Sequence, residues 1–334
     1  MEHCAIVILN YNGKEMLRQF LPIVIQHSSF SIFVADNASQ DDSIDFLRTN
    51  HPEVQILALT QNHGFAGGYN RALEKIKGKF AYYILLNSDV EVTPHWDRTL
   101  IEWISDHPHV AAVQPKILSY TNPQYFDHAG AGGGFLDSLG YPFCRGRIFE
   151  TLELDKGQYD DIIPVDWASG ACMVVRAEDF YGTGGFDDRF FAHMEEIDLC
   201  WKWRLLGKDI YYHGGVEVKH VGGATLDKSS PQKTFLNFRN SLLMLHNNLP
   251  QEKFIFRYLC RVLLDLLAAF VFFLRGNPSH ALSVFRAHQD FFRLKSKKKP
   301  LVLAPDLSNE DQEKKIKSIL WTYYIKGRKI YADI

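Results

Sequence analysis

The sequence predicts an α/β fold in which a mostly parallel sheet is flanked by helices and followed by a C-terminal helical extension. In the first half of the chain, short apolar runs alternate with segments of helical periodicity, which is typical of a parallel sheet covered by helices. The 334 residues are 46% hydrophobic and 23% charged, enough for one large core and a smaller appended unit. We therefore expect a first domain at residues 1–228 and a C-terminal helical region at residues 229–334.

Four apolar runs are expected to form buried strands, at residues 5–9, 32–35, 55–59 and 80–86. The first run follows a start too short and too uncharged for a signal peptide, so we interpret it as a strand. Helices are expected in the gaps, at residues 14–26, 41–49 and 67–76. The regular alternation then gives way to a helix at 94–106, a glycine-rich loop at 129–134, a strand at 165–176, a helix from Glu195, and short strands at 210–212 and 216–219.

The charge and cysteine content exclude several classes of protein. Lys and Arg number 37 and Asp and Glu number 39, a formal charge of −2. Nucleic-acid binding depends on neutralising phosphates, so this balance gives no reason to expect it. The five cysteines are odd in number and widely scattered, which indicates neither a disulfide framework nor a zinc cluster. A reducing, cytoplasmic location is expected.

Polar clusters follow three of the predicted strands, at the edge where ligands gather in a parallel sheet. They are residues 10–13 (Asn-Tyr-Asn-Gly), 36–39 (Asp-Asn-Ala-Ser) and 62–70 (Asn-His-Gly-Phe-Ala-Gly-Gly-Tyr-Asn). The glycines of the third cluster let the backbone approach a ligand at a helix start, where unpaired amides favour phosphate. A tight turn or a helix cap would explain any one cluster, but three at successive strand ends favour a nucleotide.

The fourth strand leads into Asn87, Ser88 and Asp89, whose oxygen atoms suit a hard divalent cation that bridges a diphosphate. An Asp at this position could instead cap the next helix. A dinucleotide-binding oxidoreductase is the competing class of enzyme. Its G-x-G-x-x-G fingerprint would follow the first strand, and residues 10–13 do not supply it.

Together with residues 191–200 (Phe-Ala-His-Met-Glu-Glu-Ile-Asp-Leu-Cys), these motifs resemble family 2 glycosyltransferases of the GT-A fold, close to bacterial rhamnosyltransferase-like members. The resemblance implies transfer of a sugar from a nucleoside-diphosphate donor to a hydroxyl of a glycan or lipid-linked acceptor, in the synthesis of cell-surface polysaccharide. Rhamnose is its first candidate for the sugar, and Mg²⁺ or Mn²⁺ for the metal. One base and one metal give a single in-line displacement, which inverts the anomeric centre.

The resemblance also implies a role for individual residues. Asn87 stands where the family's D-x-D motif has its first Asp, and Glu195-Glu196 stands where Glu-Asp is usual. Glu196 is the implied base, Asp89 and His220 the implied metal ligands, and Trp167, Glu195 and Asp198 the acceptor-side residues. The implied nucleotide contacts are Asn10, Tyr11, Asn12, Asp36, Asn37, Asn62, Gly64, Phe65, Gly67, Gly68, Asn70, Asn87 and Ser88.

Each of the isolated residues also has a purely structural interpretation. His220 alone would be a strand-end histidine with a local hydrogen bond, and Trp167 alone would be a core residue. Asp198 could cap a helix, and Glu195 could be a solvated carboxylate favoured by the helix dipole. Because Glu195 and Glu196 are adjacent, like-charge repulsion is expected to raise the pKa of one carboxyl.

The tail combines an apolar face at residues 252–275 with Arg257, Arg261 and Arg275, followed by the basic run 295–299. The apolar stretch is short for a spanning helix, which needs about 20 apolar residues. An amphipathic helix beside basic residues favours adsorption to an anionic leaflet, at the cytoplasmic face of the inner membrane. Packing against the transferase domain or against a second subunit is the alternative. For the whole chain, the alternative is a non-catalytic nucleotide-sugar-binding or scaffold subunit with a decayed site.

Overall fold

A nine-stranded sheet organises the molecule in the computed structural model, which describes residues 2–222, 230–295 and 316–334. The sheet order is β11-β13-β6-β12-β4-β1-β2-β3, with β5 paired to β13, and β7 to β10 form a second, four-stranded sheet. The strands are β1 (Glu2–Asn10), β2 (Ser31–Asp36), β3 (Gln55–Ile56), β4 (Phe80–Asn87), β5 (Val90–Val92), β6 (Val110–Ser119), β7 (Gly134–Leu136), β8 (Pro142–Cys144), β9 (Arg147–Ile148), β10 (Thr151–Leu152), β11 (Ile162–Pro164), β12 (Cys172–Arg176) and β13 (Asp209–His220).

The first four strands of the sequence form its parallel half, in the order β3-β2-β1-β4. Their register places Asn10 opposite Asp36 and Leu9 opposite Asn87, so the carboxyl ends of β1, β2 and β4 lie side by side. The continuous apolar runs of β1, β2 and β4 are buried between helices on both faces, which is why the sequence predicts them well. The buried strand expected at 55–59 is wrong in extent, because β3 covers only Gln55 and Ile56, which are exposed and half-buried at the edge of the sheet.

The other half of the sheet departs from the prediction, since β5 and β11 were not expected and three further strands differ. Strand β6 was not expected, because Gln114, Pro115 and Lys116 interrupt its apolar pattern although all three are buried. The two strands expected at 210–219 are one strand, β13, whose register shifts between His213 and Glu217 as a bulge. The strand expected at 165–176 begins only at Cys172, because the amides of Ala168, Ser169 and Ala171 donate to side chains instead of to a neighbouring strand.

The described residues include nine α-helices, and apolar residues on both faces of the sheet form the two large cores. The mixed α/β class and the helical C-terminal region are therefore confirmed. The helices are α1 (Lys14–His27), α2 (Ser43–Asn50), α3 (Gly64–Lys75), α4 (Trp96–Ser105), α5 (Ala177–Gly182), α6 (Glu195–Leu205), α7 (Pro231–Asn248), α8 (Gln251–Leu274) and α9 (Pro278–Leu294).

Helix α7 contributes directly to the main core, because Leu242, Leu243, Met244 and Leu245 are fully buried there. The expected domain boundary at 228/229 lies outside the described residues, and the division into two units stays a prediction. In the described part of the chain, four cysteines are buried and Cys260 of α8 is partly accessible.

Helix α8 is amphipathic, with its apolar side facing away from the protein. Its buried side carries Phe254, Arg261, Asp265 and Ala269. Its exposed apolar side chains, here named the α8 stripe, are Ile255, Phe256, Leu259, Leu263, Leu266, Leu267, Phe270, Phe273 and Leu274. The stripe is therefore not packed against the transferase domain. Within the described residues, no helix is both long and apolar enough to cross a bilayer. Of the basic run 295–299, only Lys295 lies within the described residues.

Candidate active site

The metal end of the candidate site forms where β4 and β13 end. Asp89 follows β4 and is 4% exposed, and His220 closes β13 and is 6% exposed. His220 Nε2 lies 3.3 Å from Asp89 Oδ1 and 3.3 Å from Asn87 Nδ2. The Val221 amide donates to the Asp89 carbonyl at 3.1 Å, which joins the two segments. The fold thus brings together the two residues expected to bind metal.

Asp127 completes this cluster, and its role is not predicted by any motif in the sequence. It is 5% exposed, and its Oδ1 lies 3.0 Å from His220 Nδ1. Burial opposes the charged form of His220, but hydrogen bonds with Asp127 and Asp89 raise its pKa to about 10. For Asp127, burial opposes the charged form as well, and the bond with His220 lowers the pKa below its usual value. Asp127 therefore fixes the orientation of the imidazole ring.

Asp89 and His220 are the side chains at this end of the site that could bind a divalent cation. No group of three or more His, Cys, Asp or Glu side chains suited to a metal occurs in the described residues. Asp89 and His220 nonetheless offer one oxygen and one nitrogen 3.3 Å apart. Two ligands on one Mg²⁺ ion lie about 3 Å apart, and Mg²⁺ commonly takes one or two side chains and fills its shell with phosphate oxygens and water. These residues fit a cation that is held jointly with a diphosphate.

The first two polar clusters meet at the ends of β1 and β2. Asn10 Nδ2 donates to Asp36 Oδ1 at 3.0 Å and to Ser39 Oγ at 3.1 Å. The Oδ1 atom of Asn10 is buried without a hydrogen-bond partner among the described residues. Asn12 joins the same two loops, since its backbone N–H donates to Ser39 Oγ at 2.9 Å. Tyr11 is 42% exposed, so its ring is free to stack on a base.

The third cluster differs from the expectation, because the first amides of α3 already have protein acceptors. Gly64 N–H donates to Asn62 Oδ1 at 2.8 Å, and the amides of Phe65 and Ala66 donate to the Phe191 carbonyl at 2.6 and 3.2 Å. Asn37 Oδ1 accepts from the His63 amide at 3.0 Å. The expectation of unpaired amides is therefore wrong for this turn, and nucleotide contact by the cluster stays a prediction.

The glycines of this cluster have a packing role instead. Gly64 has φ +70°, and a Cβ there would lie 2.3 Å from the Phe191 carbonyl oxygen. A Cβ on Gly68 would lie 2.9 Å from Leu9 of β1, so this glycine lets α3 approach the sheet. Gly67 is buried in the same helix, and Phe65 packs edge-on against Tyr69. Asn70 binds the Phe186 backbone and Asp188, on the turn that precedes α6.

The expected base lies at the start of α6. Glu195 is 3% exposed, and the Oε2 atoms of both Glu195 and Glu196 are buried without a hydrogen-bond partner among the described residues. Burial raises the pKa of Glu196 to about 7. Burial, together with the charge of Glu196, raises the pKa of Glu195 well above its usual value. A buried carboxylate with an unused oxygen is suited to take a proton near neutral pH.

Two of the expected acceptor-side residues are packed into the protein. Trp167 is 5% exposed and donates from Nε1 to the Phe135 carbonyl at 3.0 Å. Asp198 is fully buried and pairs with Lys202 at 2.6 Å. It also accepts hydrogen bonds from Asn247 and Asn248 of α7, which join α6 to α7. These placements argue against the acceptor roles predicted for Trp167 and Asp198.

The metal end and the base approach the same region of the molecule. The segment before β12 contacts both, since its Ala171 carbonyl accepts from the Asn87 amide at 3.0 Å and its Ala168 amide points to Cys200 Sγ of α6 at 3.5 Å. Burial raises the pKa of the Cys144 thiol to about 12, and the carboxylates of both Asp127 and Glu196 add to this rise.

Comparison with known proteins identifies the family. Residues 5–165 match the model of glycosyl transferase family 2. This chain carries a family 2 glycosyltransferase domain. The glycosyltransferase is 26% identical over 232 residues to the N-acetylglucosaminyl-diphospho-decaprenol L-rhamnosyltransferase of Mycobacterium tuberculosis, covering 64% of this chain and 75% of that one. It is 43% identical over 156 residues to the rhamnosyltransferase WbbL of Escherichia coli, covering 45% and 58%.

A solved structure confirms the fold of the glycosyltransferase. The mannosyltransferase PcManGT of Pyrobaculum calidifontis, in complex with GDP-Man and Mn²⁺, aligns with a TM-score of 0.52 at 14% identity, covering 88% of this chain and 76% of that one. The expected GT-A fold is therefore confirmed. Asp127 belongs to no motif in the sequence, and its partner His220 is 93 positions away.

Proposed function

We propose that this glycosyltransferase is a metal-dependent, inverting enzyme that moves a sugar from a nucleoside diphosphate to a hydroxyl of a glycan or lipid-linked acceptor. The observation that carries the proposal is a pair of features at one end of the sheet: Asp89 and His220 lie 3.3 Å apart, and Glu196 has an unused buried oxygen. Rhamnose is the first candidate for the sugar and cell-surface polysaccharide for the product, because relatives from two bacteria are named rhamnosyltransferases.

In this mechanism, Asn10 and Asp36 bind the nucleoside part of the donor, and Tyr11 stacks on its base. Asp89 and His220 would hold a divalent cation, which neutralises the charge that develops on the departing diphosphate. Asp127 orients His220 through the 3.0 Å bond to Nδ1, and Nε2 would bind the ion after giving up its proton. Glu196 takes the proton of the acceptor hydroxyl. The hydroxyl oxygen attacks the anomeric carbon on the side opposite the diphosphate, which leaves.

The test is a panel of nucleoside diphosphates and their sugars, each with and without Mn²⁺. We expect thermal stabilisation by one nucleoside diphosphate and transfer of its sugar, detected by mass spectrometry on a hydroxyl acceptor. Binding without turnover across the panel would favour the non-catalytic scaffold subunit. Stabilisation by a dinucleotide instead would favour the oxidoreductase.

The pH dependence of transfer is expected to follow Glu196. Burial raises the pKa of this carboxyl to about 7, and only its ionised form accepts a proton. The value of kcat/KM should therefore fall as the pH drops through about 7, approaching about tenfold per pH unit below it. Initial rates of sugar transfer from one donor, measured between pH 5 and 9, test this dependence. A rate that is constant from pH 5 to 9 would contradict the role of Glu196.

We also propose that the α8 stripe binds the cytoplasmic surface of an anionic membrane. Its nine side chains are between 47% and 69% exposed. Because a helix turns about 100° and rises 1.5 Å per residue, they fall within an arc of about 120° and span about 28 Å. From Ile255 to Leu274 this arc contains no charged residue, whereas Arg257 lies at its flank and Arg275 directly follows the helix. This arrangement suits the interface of an anionic bilayer.

Replacing Leu263 with Glu is expected to weaken vesicle binding, because the carboxylate would lie in the middle of the stripe, where the exposed fraction of Leu263 is 69%. We expect at least a fivefold loss in flotation with phosphatidylglycerol vesicles. Leu206→Glu is the matched control, since Leu206 is 42% exposed and lies outside the stripe, at the C-terminal end of α6. Equal flotation of the two variants contradicts membrane docking. Loss of a dimer in light scattering, without a change in flotation, assigns the stripe to a second copy of the chain.

A further inference from the structure

The segment that precedes Glu196 is held by two adjacent side chains of α7. Asn240 is fully buried, and its Nδ2 lies 2.9 Å from the Phe190 carbonyl, 2.8 Å from that of Ala192 and 2.7 Å from that of His193. An amide group has two N–H donors, so three acceptors use it fully. We name residues 190–194 the base loop.

Arg239 supports the same loop and fixes Asn240. Its guanidinium donates to the carbonyls of Arg189 and Phe190 at 3.0 and 2.9 Å, and its Nε donates to Asn240 Oδ1 at 2.9 Å. Its remaining arm reaches Asp290 of α9 at 3.2 Å. The Asn240 amide is therefore oriented with its donors toward the base loop.

The base loop needs this support because its backbone is unfavourable for its residues. Phe191, His193 and Met194 have φ of 63°, 69° and 72°, a region that side chains other than glycine rarely adopt. Three such residues among four persist only where surrounding groups hold them. The loop in turn places Glu195 and Glu196 at the start of α6, and its Phe191 carbonyl accepts the first amides of α3.

We propose that Asn240, oriented by Arg239, is a positioning residue for Glu196. The side chain acts through the base loop: it donates to three of the loop's carbonyls, and so holds the carboxylate of Glu196 toward the acceptor. This inference rests on the proposed role of Glu196 as the base. It makes α7, from the region expected to be a separate helical unit, a part of the active site.

The test is Asn240→Asp, which keeps the shape of the side chain but points a carboxylate oxygen at the carbonyls. We expect kcat to fall at least 100-fold, since a small misplacement of a reacting group has effects of about this size. The donor KM, and thermal stabilisation by the nucleoside diphosphate with Mn²⁺, should stay within threefold of wild type. The acidic limb of the pH profile should also move, because the surroundings of Glu196 change.

Ser241→Ala is the control on the same helix. Ser241 is buried and accepts from Arg261 at 2.8 Å, so its loss removes a polar contact that does not reach the base loop. It should leave kcat and the pH profile unchanged. If Asn240→Asp does not fold, Arg239→Lys takes its place. This change keeps the charge beside Asp290 but cannot span both carbonyls, and kcat should fall about tenfold.

Wild-type kcat and an unmoved pH profile in whichever of these two variants folds would overturn the positioning role. Glu196→Gln, measured in parallel, separates this result from a failure of the proposed function. If Glu196→Gln is inactive while Asn240→Asp is fully active, only the positioning inference is wrong. If Glu196→Gln is active, the base itself has been misassigned.

Discussion

Glu196→Gln is expected to lower the kcat of sugar transfer by about 10²–10⁴-fold, the usual contribution of a positioned general base. Gln has nearly the shape of Glu, so the start of α6 and the base loop should be preserved. The amide cannot accept the proton of the acceptor hydroxyl. Initial rates at saturating donor measure the effect, and stabilisation by the nucleoside diphosphate should remain.

Glu178→Gln is the matched control, because Glu178 is the second residue of α5 as Glu196 is the second residue of α6, and it is exposed. It should retain the wild-type rate. Transfer that proceeds at a comparable rate in Glu196→Gln would show that another group takes the proton. Glu195, whose Oε2 is also buried and unpaired, would then be the next residue to replace.

Removal of divalent cations, or Asp89→Ala, is expected to lower kcat by at least about 10²-fold. Asp89 and His220 are the side chains that would share the ion with the diphosphate, and loss of stabilising charge at a transition state has effects of this size. Chelated wild-type enzyme should recover on addition of Mn²⁺, the ion present in the mannosyltransferase structure. Asp89→Ala should not recover. Binding of Mn²⁺ with a nucleoside diphosphate, followed by electron paramagnetic resonance, is the direct readout.

Glu91→Gln serves as the control for this prediction. Glu91 lies two residues beyond Asp89 and pairs with Lys219 at 2.9 Å, next to His220. Removing its charge changes the local electrostatics but no proposed ligand, so Mn²⁺ binding should persist. Full activity of wild-type enzyme after chelation would refute the metal and leave Asp89, His220 and Asp127 as a buried ion-pair network.

Local patterns were sufficient to predict the parallel half of the fold and the positions of its polar strand ends. A buried parallel strand is apolar along its whole length, and its carboxyl end is the first polar residue that follows, as at Asn10, Asp36 and Asn87. The meeting of Asp89 with His220 was expected through the family resemblance alone. The spacing of the two residues in the sequence does not predict this contact, because it forms only when β13 pairs with β5 and β6.

The remainder of the site depends on contacts that leave no pattern in the sequence. Asn240 lies between Arg239 and Ser241 and resembles any polar residue of an amphipathic helix until the carbonyls of the base loop are located. The amides of α3 seemed available from the sequence because their acceptor, the Phe191 carbonyl, is a backbone group more than 120 positions away. The direction of the α8 stripe likewise depends on Arg261 and Asp265 being taken into the protein.

The described cysteines differ in their accessibility to reagents. Burial raises the pKa of Cys144 and Cys200 to about 12, and it raises that of Cys4 and Cys172 as well, so these four groups stay protonated and shielded from reagents at neutral pH. Cys260 is the partly accessible thiol among the described residues, one helical step from Leu259. A maleimide dye would therefore attach beside the stripe without mutagenesis, and its emission colour would report the polarity that α8 meets.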